Sequence, residues 1–150
     1  MTKKKNKMAR PKNNRIVFEP PLYKIFTPQG SEGVLLDQVQ ISLDEFEAVR
    51  LADYSGLTHE EASEAMEISR PTFSRLIEKA RKKIADIVIN GKQLIIEGGS
   101  VHFRNNIIKC LDCKSLYKTK IDECVTECPA CHSNNLMDFA GSYGHGDCCT

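Results

Sequence analysis

No run of apolar residues in this 150-residue chain approaches the about 20 that a membrane-spanning helix needs, which excludes a bilayer span as its organising element. The first residues are charged with no apolar stretch behind them, so no secretory signal is expected and the chain is expected to be cytoplasmic. No glycine-rich loop of the phosphate-cradling kind occurs, no Ser/His/Asp set suggests itself, and no internal repeat stands out. With no catalytic constellation in view, the chain is not expected to be an enzyme.

Net charge is also nearly absent, with 21 Lys and Arg against 20 Asp and Glu, but the distribution is uneven. Residues 1–15 carry Lys3, Lys4, Lys5, Lys7, Arg10, Lys12 and Arg15 and no acid, so the remainder is acidic. A basic arm on an acidic body suits a polyanion partner reached by the arm, and suits equally a solubilising tail. Seven cysteines in a reducing compartment point to metal or redox chemistry rather than to disulfides. The length allows one ordinary domain, or a small domain with a stapled module.

The chain divides accordingly. Residues 1–15 form a basic arm, 16–97 a helical domain, 101–140 a cysteine module and 141–150 a Gly/Cys tail. Arg15–Phe18 is a candidate strand ended by Pro20 and Pro21. A helix is expected from Ser42, whose capping box with Glu45 defines its start, through Phe46, Val49 and Leu51 to about Asp53, with Gly56 closing it. A second helix starts at Thr58, boxed by Glu61, and a third at Ser69, with Pro71 in its first turn. The third carries Phe73, Leu76, Ile77, Ala80, Ile84, Ile87 and Val88 at three- and four-residue intervals and stops at Asn90-Gly91. Gln93–Ile96 is a short strand expected to pair with Ile16–Phe18, and Gly98-Gly99-Ser100 reads as a linker with few contacts.

Opposite its apolar stripe the third helix offers Arg70, Thr72, Ser74, Arg75 and Lys79, with Ser69 at its cap. Hydroxyls and cations projecting from one helix suit entry into a DNA major groove. Arg70 and Arg75 are the base-reading candidates, and Thr72, Ser74 and Lys79 suit phosphate or positioning contacts. Arg75 could equally pair with Glu64 or Glu78, and His59 reads as a helix-surface residue.

Cys110-x-x-Cys113 and Cys128-x-x-Cys131 are two knuckles, each delivering two thiolates from one turn. Together they make a closed tetrahedral set for zinc, structural rather than catalytic because no ligand position stays open. The same thiolates suit iron as in rubredoxin, and disulfides are the remaining outcome. Cys124 falls off the pattern, and His132 is placed to hydrogen-bond a thiolate. The strands expected around the knuckles are 103–109, 115–118 and 136–139. In the tail, His145, Cys148 and Cys149 form a candidate second metal or redox site.

Residues 42–89 resemble the helix-turn-helix of sigma-70 region 4. More closely, residues about 8–99 resemble a family of uncharacterised prokaryotic proteins with that domain. The stretches that carry the likeness are Met8-Ala9-Arg10-Pro11-Lys12, Ser42-Leu43-Asp44-Glu45, Arg50-Leu51-Ala52-Asp53, Ser69-Arg70-Pro71-Thr72-Phe73 and Asn90-Gly91-Lys92. That resemblance implies DNA binding with no known target and a turn that usually holds glycine at positive φ, where this chain has Glu67. Residues 101–140 resemble a zinc ribbon. The fold expected is therefore mainly α, a helix-turn-helix domain followed by a small β zinc ribbon. The expected partner is double-stranded DNA, with transcriptional regulation as the role. RNA polymerase, reached as an adaptor, and a second copy of the chain are the other partners in view. A metal- or redox-handling role for the cysteines is a further alternative.

Overall fold

The computed structural model describes residues 14–144. In chain order the elements are β1 (Arg15–Val17), β2 (Ile25–Phe26), β3 (Gln38–Ile41), α1 (Leu43–Val49), a π-helical turn Arg50–Tyr54, α2 (His59–Ala65), α3 (Arg70–Asn90), β4 (Gln93–Ile96), β5 (Val101–Phe103), β6 (Asn105–Cys110), β7 (Leu116–Lys120), β8 (Leu136–Asp138) and α4 (Phe139–Ser142). Helix makes up 34% and strand 23%, the latter in three sheets, so the chain is a mixture of α and β and not mainly α. The difference has a physical cause. Strands of two to four residues carry almost no alternation of their own and exist by pairing with segments distant in sequence.

The helix starts are fixed by local chemistry. At α1 the Glu45 carboxylate accepts the Ser42 N–H at 3.1 Å. The helix then widens by one residue per turn, with the Ser55 N–H reaching the Arg50 carbonyl at 2.8 Å, and Gly56 at φ 71 ends it. At α2 the capping box is complete: Thr58 Oγ1 accepts the Glu61 N–H at 3.2 Å and Glu61 returns its carboxylate to the Thr58 N–H at 2.9 Å. These bonds hold the Glu61 carboxyl below its ordinary range. Ser69 Oγ caps α3 by accepting the Thr72 N–H at 3.3 Å, and Gly91, left-handed at φ 63, closes it.

Between α2 and α3 the chain turns in a Schellman arrangement. The Ile68 N–H bonds the Ser63 carbonyl at 3.0 Å and the Glu67 N–H bonds the Glu64 carbonyl at 3.1 Å. Glu67 sits at φ 55, the positive value expected there, and a side chain in that conformation costs about 1 kcal/mol against glycine.

Two cores organise the molecule. The first packs Ala48, Leu51, Ala62, Met66, Phe73, Leu76 and Ile77 between α1, α2 and α3. Ile84 and Ile87 are only half-buried and Val88 is 73% exposed, so the apolar stripe of α3 is covered over its first half alone. The second core gathers Val17, Leu43, Ile96, Val101, Phe103 and Ala140 from both sides of residues 98–100. That stretch is not a slack linker. The Gly98 carbonyl accepts the Leu43 N–H at 2.9 Å, the Ser100 carbonyl accepts the Arg15 N–H at 3.1 Å, and a Cβ on Gly99 would stand 3.2 Å from Asp44 Oδ1.

The expected pairing of Ile16–Phe18 with Gln93–Ile96 does not form. β1 instead pairs in parallel with β5, Arg15 opposite Val101. β4 lies between β2, antiparallel, and β3, parallel. Burying the apolar face of Val17 against Val101 and Phe103 wins over the sequence-nearer partner. β7, β6 and β8 form an antiparallel sheet that overlaps the three strands anticipated for the cysteine module, except that Phe103 leaves the expected 103–109 strand and pairs with β1 as part of β5.

Three acids on α1 bind neighbouring elements to it. Asp44 pairs with Arg15 of β1. Glu47, 3% exposed, pairs with Arg50 and accepts the Phe18 N–H at 3.1 Å, while the Arg50 guanidinium lies 4.9 Å over the Phe18 ring. Glu45, 2% exposed, takes Lys83 of α3 at 2.8 Å, with Lys79 at 3.7 Å. Buried carboxylates are tolerable only with such partners.

Candidate metal centre and helical surface

Cys110 closes β6, and the turn behind it is built from three backbone features. The Cys110 N–H bonds the Ser115 carbonyl at 2.9 Å, the Lys114 N–H bonds the Cys110 carbonyl at 3.0 Å, and Lys114 stands at φ 65. The second knuckle repeats them: Cys128 N–H to Ser133 carbonyl at 2.8 Å, His132 N–H to Cys128 carbonyl at 2.8 Å, and His132 at φ 59. The unit is therefore Cys-x-x-Cys-x-Ser, present twice in the sequence and too short to register as a repeat.

The two turns bring Cys110, Cys113, Cys128 and Cys131 together with all four Sγ atoms within 4.8 Å of one another. Cys110 to Cys131 and Cys113 to Cys128 are each 3.6 Å, far beyond a disulfide bond, so the four are free thiols. A tetrahedron with arms of about 2.3 Å has edges of about 3.8 Å, so the set is pre-formed for an ion at its centre and can hold a metal. Cys110 and Cys128 are buried, Cys113 and Cys131 exposed.

Hydroxyl groups surround one edge of the set. Ser115 Oγ lies 2.7 Å from Cys113 Sγ, Tyr117 Oη lies 2.8 Å from Cys128 Sγ, and the two hydroxyls touch each other. Burial works against the Cys128 thiolate. Hydrogen bonds from Tyr117, the Cys131 and Ala130 backbone and Ser115 outweigh it and pull Cys128 down to about 5. At Cys131 the Ser133 N–H favours the thiolate, but burial and the crowding of the other cysteines push it up to about 12. Hydrogen-bond donors thus converge on Cys128 and favour its thiolate.

Around this centre the structure corrects one placement and adds four residues. His132 does not reach a thiolate, and its Nδ1 meets Glu127 at 3.2 Å because the positive-φ backbone turns it outward. Cys124 is exposed and outside the set. His145, Cys148 and Cys149 lie outside the described residues. Ser115, Tyr117, Ser133 and Asp112 were not singled out from sequence, and the doubled Cys-x-x-Cys-x-Ser is the signal that points to both serines.

On α3 the six candidate residues separate into two kinds. Ser69 and Thr72 serve the helix start, their hydroxyls 2.7 Å apart. Ser74 Oγ bonds His59 Nδ1 at 2.9 Å, and the His59 ring stands edge-on to Phe73 at 5.3 Å, so this pair ties α2 to α3. Lys79 is 69% exposed and loosely drawn to Glu45. Arg70 and Arg75 are exposed, and among the described residues neither guanidinium has a hydrogen-bond or ion-pair partner; Arg75 pairs with neither Glu64 nor Glu78. Arg81, by contrast, is committed to Asp53 through bonds of 2.7 and 3.1 Å.

Residues 1–104 match the family described as Protein of unknown function DUF134. The chain belongs to the DUF134 family. Its relatives include UPF0251 proteins from several bacteria. That of Chloroherpeton thalassium is 45% identical over 132 residues, 88% of this chain and 87% of its own length. That of Caldicellulosiruptor bescii is 40% identical over 141 residues, 94% of this chain and 95% of its own. An alignment of that extent necessarily includes residues 110–131, beyond the end of the DUF134 match. No solved structure matches the chain.

Proposed function

We propose that this DUF134 chain binds duplex DNA through α2 and α3 and acts as a transcriptional regulator, its four cysteines holding a structural zinc ion. The observation that carries the reading is the pair of guanidiniums, Arg70 and Arg75, unpartnered among the described residues and placed on the first turns of a helix whose opposite side is buried over its first half. The supporting features are the capped helix start, the tight α2–α3 turn and the resemblance of residues 42–89 to sigma-70 region 4. In this reading α3 enters the major groove, and Arg70 and Arg75 donate in bidentate fashion to guanine O6 and N7. The bases of residues 1–12 add phosphate contacts that carry no sequence information.

The donor set supports zinc: four sulfurs, no oxygen ligand, and two S···S edges of 3.6 Å, close to the about 3.8 Å that Zn–S arms of about 2.3 Å require. Such a closed site supplies folding free energy to a module like the one that resembles a zinc ribbon.

The test is binding of the full chain to duplexes selected from random sequence. Affinity is expected to fall steeply with salt as counterions are released. Arg75→Ala should cost about 1–3 kcal/mol on the preferred sequence and relax its selectivity. Absence of affinity for any duplex at low salt refutes the proposal. The adaptor reading, docking on RNA polymerase, draws on exposed apolar side chains: Tyr54 at the end of the π-helical turn, and Val88 and Ile89 in the last turn of α3, at 88%, 73% and 80% exposure. Salt-insensitive binding to the polymerase with no DNA affinity would favour it.

A further inference from the structure

The two knuckles are equivalent in backbone and unequal in hydrogen bonding. Cys113 and Cys131 hold the same place in each, both are exposed, and each sulfur receives the N–H of the serine two residues on. They differ in what that serine's hydroxyl does. Ser115 turns its hydroxyl onto Cys113 at 2.7 Å. Ser133 turns its hydroxyl away, donating it to Asp112, whose other oxygen takes the Asn135 side-chain amide at 3.0 Å. Asp112 therefore removes from Cys131 the donor that Cys113 keeps. On the inner pair, Tyr117 donates to Cys128 at 2.8 Å, whereas Cys110 is buried without a hydroxyl donor.

From this geometry we infer that Cys131 is a modification site: the exposed thiolate of the metal-loaded centre that has no hydroxyl donor among the described residues, at which soft electrophiles of the enone class attack. The inference rests on the metal reading above. In the loaded centre all four sulfurs are thiolates that only accept hydrogen bonds, so Tyr117 gives its one proton to Cys128 and Ser115 its one proton to Cys113, leaving none for the contact between the two hydroxyls. A donated proton draws charge off sulfur and lowers its nucleophilicity; a thiolate without one keeps it. The step balances simply. A lone pair of Cys131 Sγ forms a bond to the β-carbon of the enone, the displaced π pair takes a proton from water at the α-carbon, and hydroxide remains. The sulfur becomes a neutral thioether, a weaker metal ligand than the thiolate, and Cys110, Cys113 and Cys128 would be left to hold the ion.

The experiment uses the full chain loaded with zinc, its zinc content measured, treated with limiting N-ethylmaleimide and mapped by peptide mass spectrometry over time. Cys124, exposed and outside the set, reports an unshielded thiol. Among the four ligands Cys131 should label about tenfold faster than Cys113, the rate equivalent of one hydrogen bond to a charged sulfur. Ser115→Ala should bring Cys113 up toward the Cys131 rate. Ser133→Ala should leave Cys131 unchanged, because its hydroxyl points elsewhere, whereas Asp112→Ala should slow Cys131 by freeing that hydroxyl. Equal labelling of Cys113 and Cys131 in a zinc-loaded chain, or no response of Cys113 to Ser115→Ala, overturns the inference alone. A chain that takes up no zinc overturns the metal reading and this one with it.

Discussion

Glu45 is the buried charge on which the pose of α3 depends, and Lys83→Met tests it. The carboxylate, 2% exposed, accepts the Ser42 N–H at 3.1 Å and the Lys83 ammonium at 2.8 Å. Methionine fills the space of the lysine stem but leaves the carboxylate without its near cation. Breaking a buried pair from one side costs about 3–5 kcal/mol, because an uncompensated charge stays behind. Lys79, 3.7 Å away and 69% exposed, can move in and offset part of this, so the net loss should be about 3 kcal/mol. For a domain of this size that lowers Tm by about 10 °C. Glu45→Gln in the same chain removes the orphaned charge while keeping an acceptor for the Ser42 N–H. The double variant should therefore recover about 2 kcal/mol of the loss. Urea unfolding followed by circular dichroism at 222 nm, with m-values compared, gives all four corners of the cycle. The reasoning is refuted by a Lys83→Met loss below about 1 kcal/mol, or by a double variant no more stable than the single one.

Glu67→Gly should raise stability by about 0.5–1 kcal/mol, seen as a higher urea midpoint, by relieving the positive φ between α2 and α3. Stripping the cysteine centre with a chelator should lower the melting temperature of the helices as well, because β5 and its Val101 and Phe103 belong to a core shared with β1 and α1; two independent transitions in calorimetry would contradict this. The Asp53 carboxyl is held below its ordinary 3.8 by its hydrogen bonds to Arg81, so its folded pKa lies under its unfolded one. The stabilisation is present above pH 3.8 and lost as pH falls through the lowered value. Asp53→Asn should flatten that acid limb of the stability curve by less than about 1 kcal/mol, the pair being largely exposed.

The helices were legible because their signals are local. Thr58 with Glu61, Ser69 with Pro71, and Asn90-Gly91 each act within one turn, and the positive φ at Glu67 follows from its place between two capped helices. The sheets were not, because two- to four-residue strands are defined by partners far away. Nothing near Ile16 announces that His102 will lie opposite it. Apolar periodicity also overreached on α3: Val88 fits the stripe but lies past the point where α1 and α2 cover it. The four-cysteine set was readable from spacing, since a knuckle is a local turn. Its hydroxyl partners were not, because whether a serine beside a ligand turns toward sulfur or toward a carboxylate depends on Asp112 and Asn135, which the fold alone brings within reach of Ser133.

The parallel union of β1 with β5 has a consequence for how the chain comes into being. α1, α2 and α3 and the core between them are complete in the nascent polypeptide by residue 90, before residues 101–103 are made. The strand that ties the amino-terminal end to the Met66 carbonyl and to the cysteine half must wait, unpaired, for most of the chain to be made. Closing such a distant contact carries a large loop entropy, so this step is the slow one. Folding during translation should therefore proceed in two stages, a quick helical nucleus followed by the later stitching of β1 to β5.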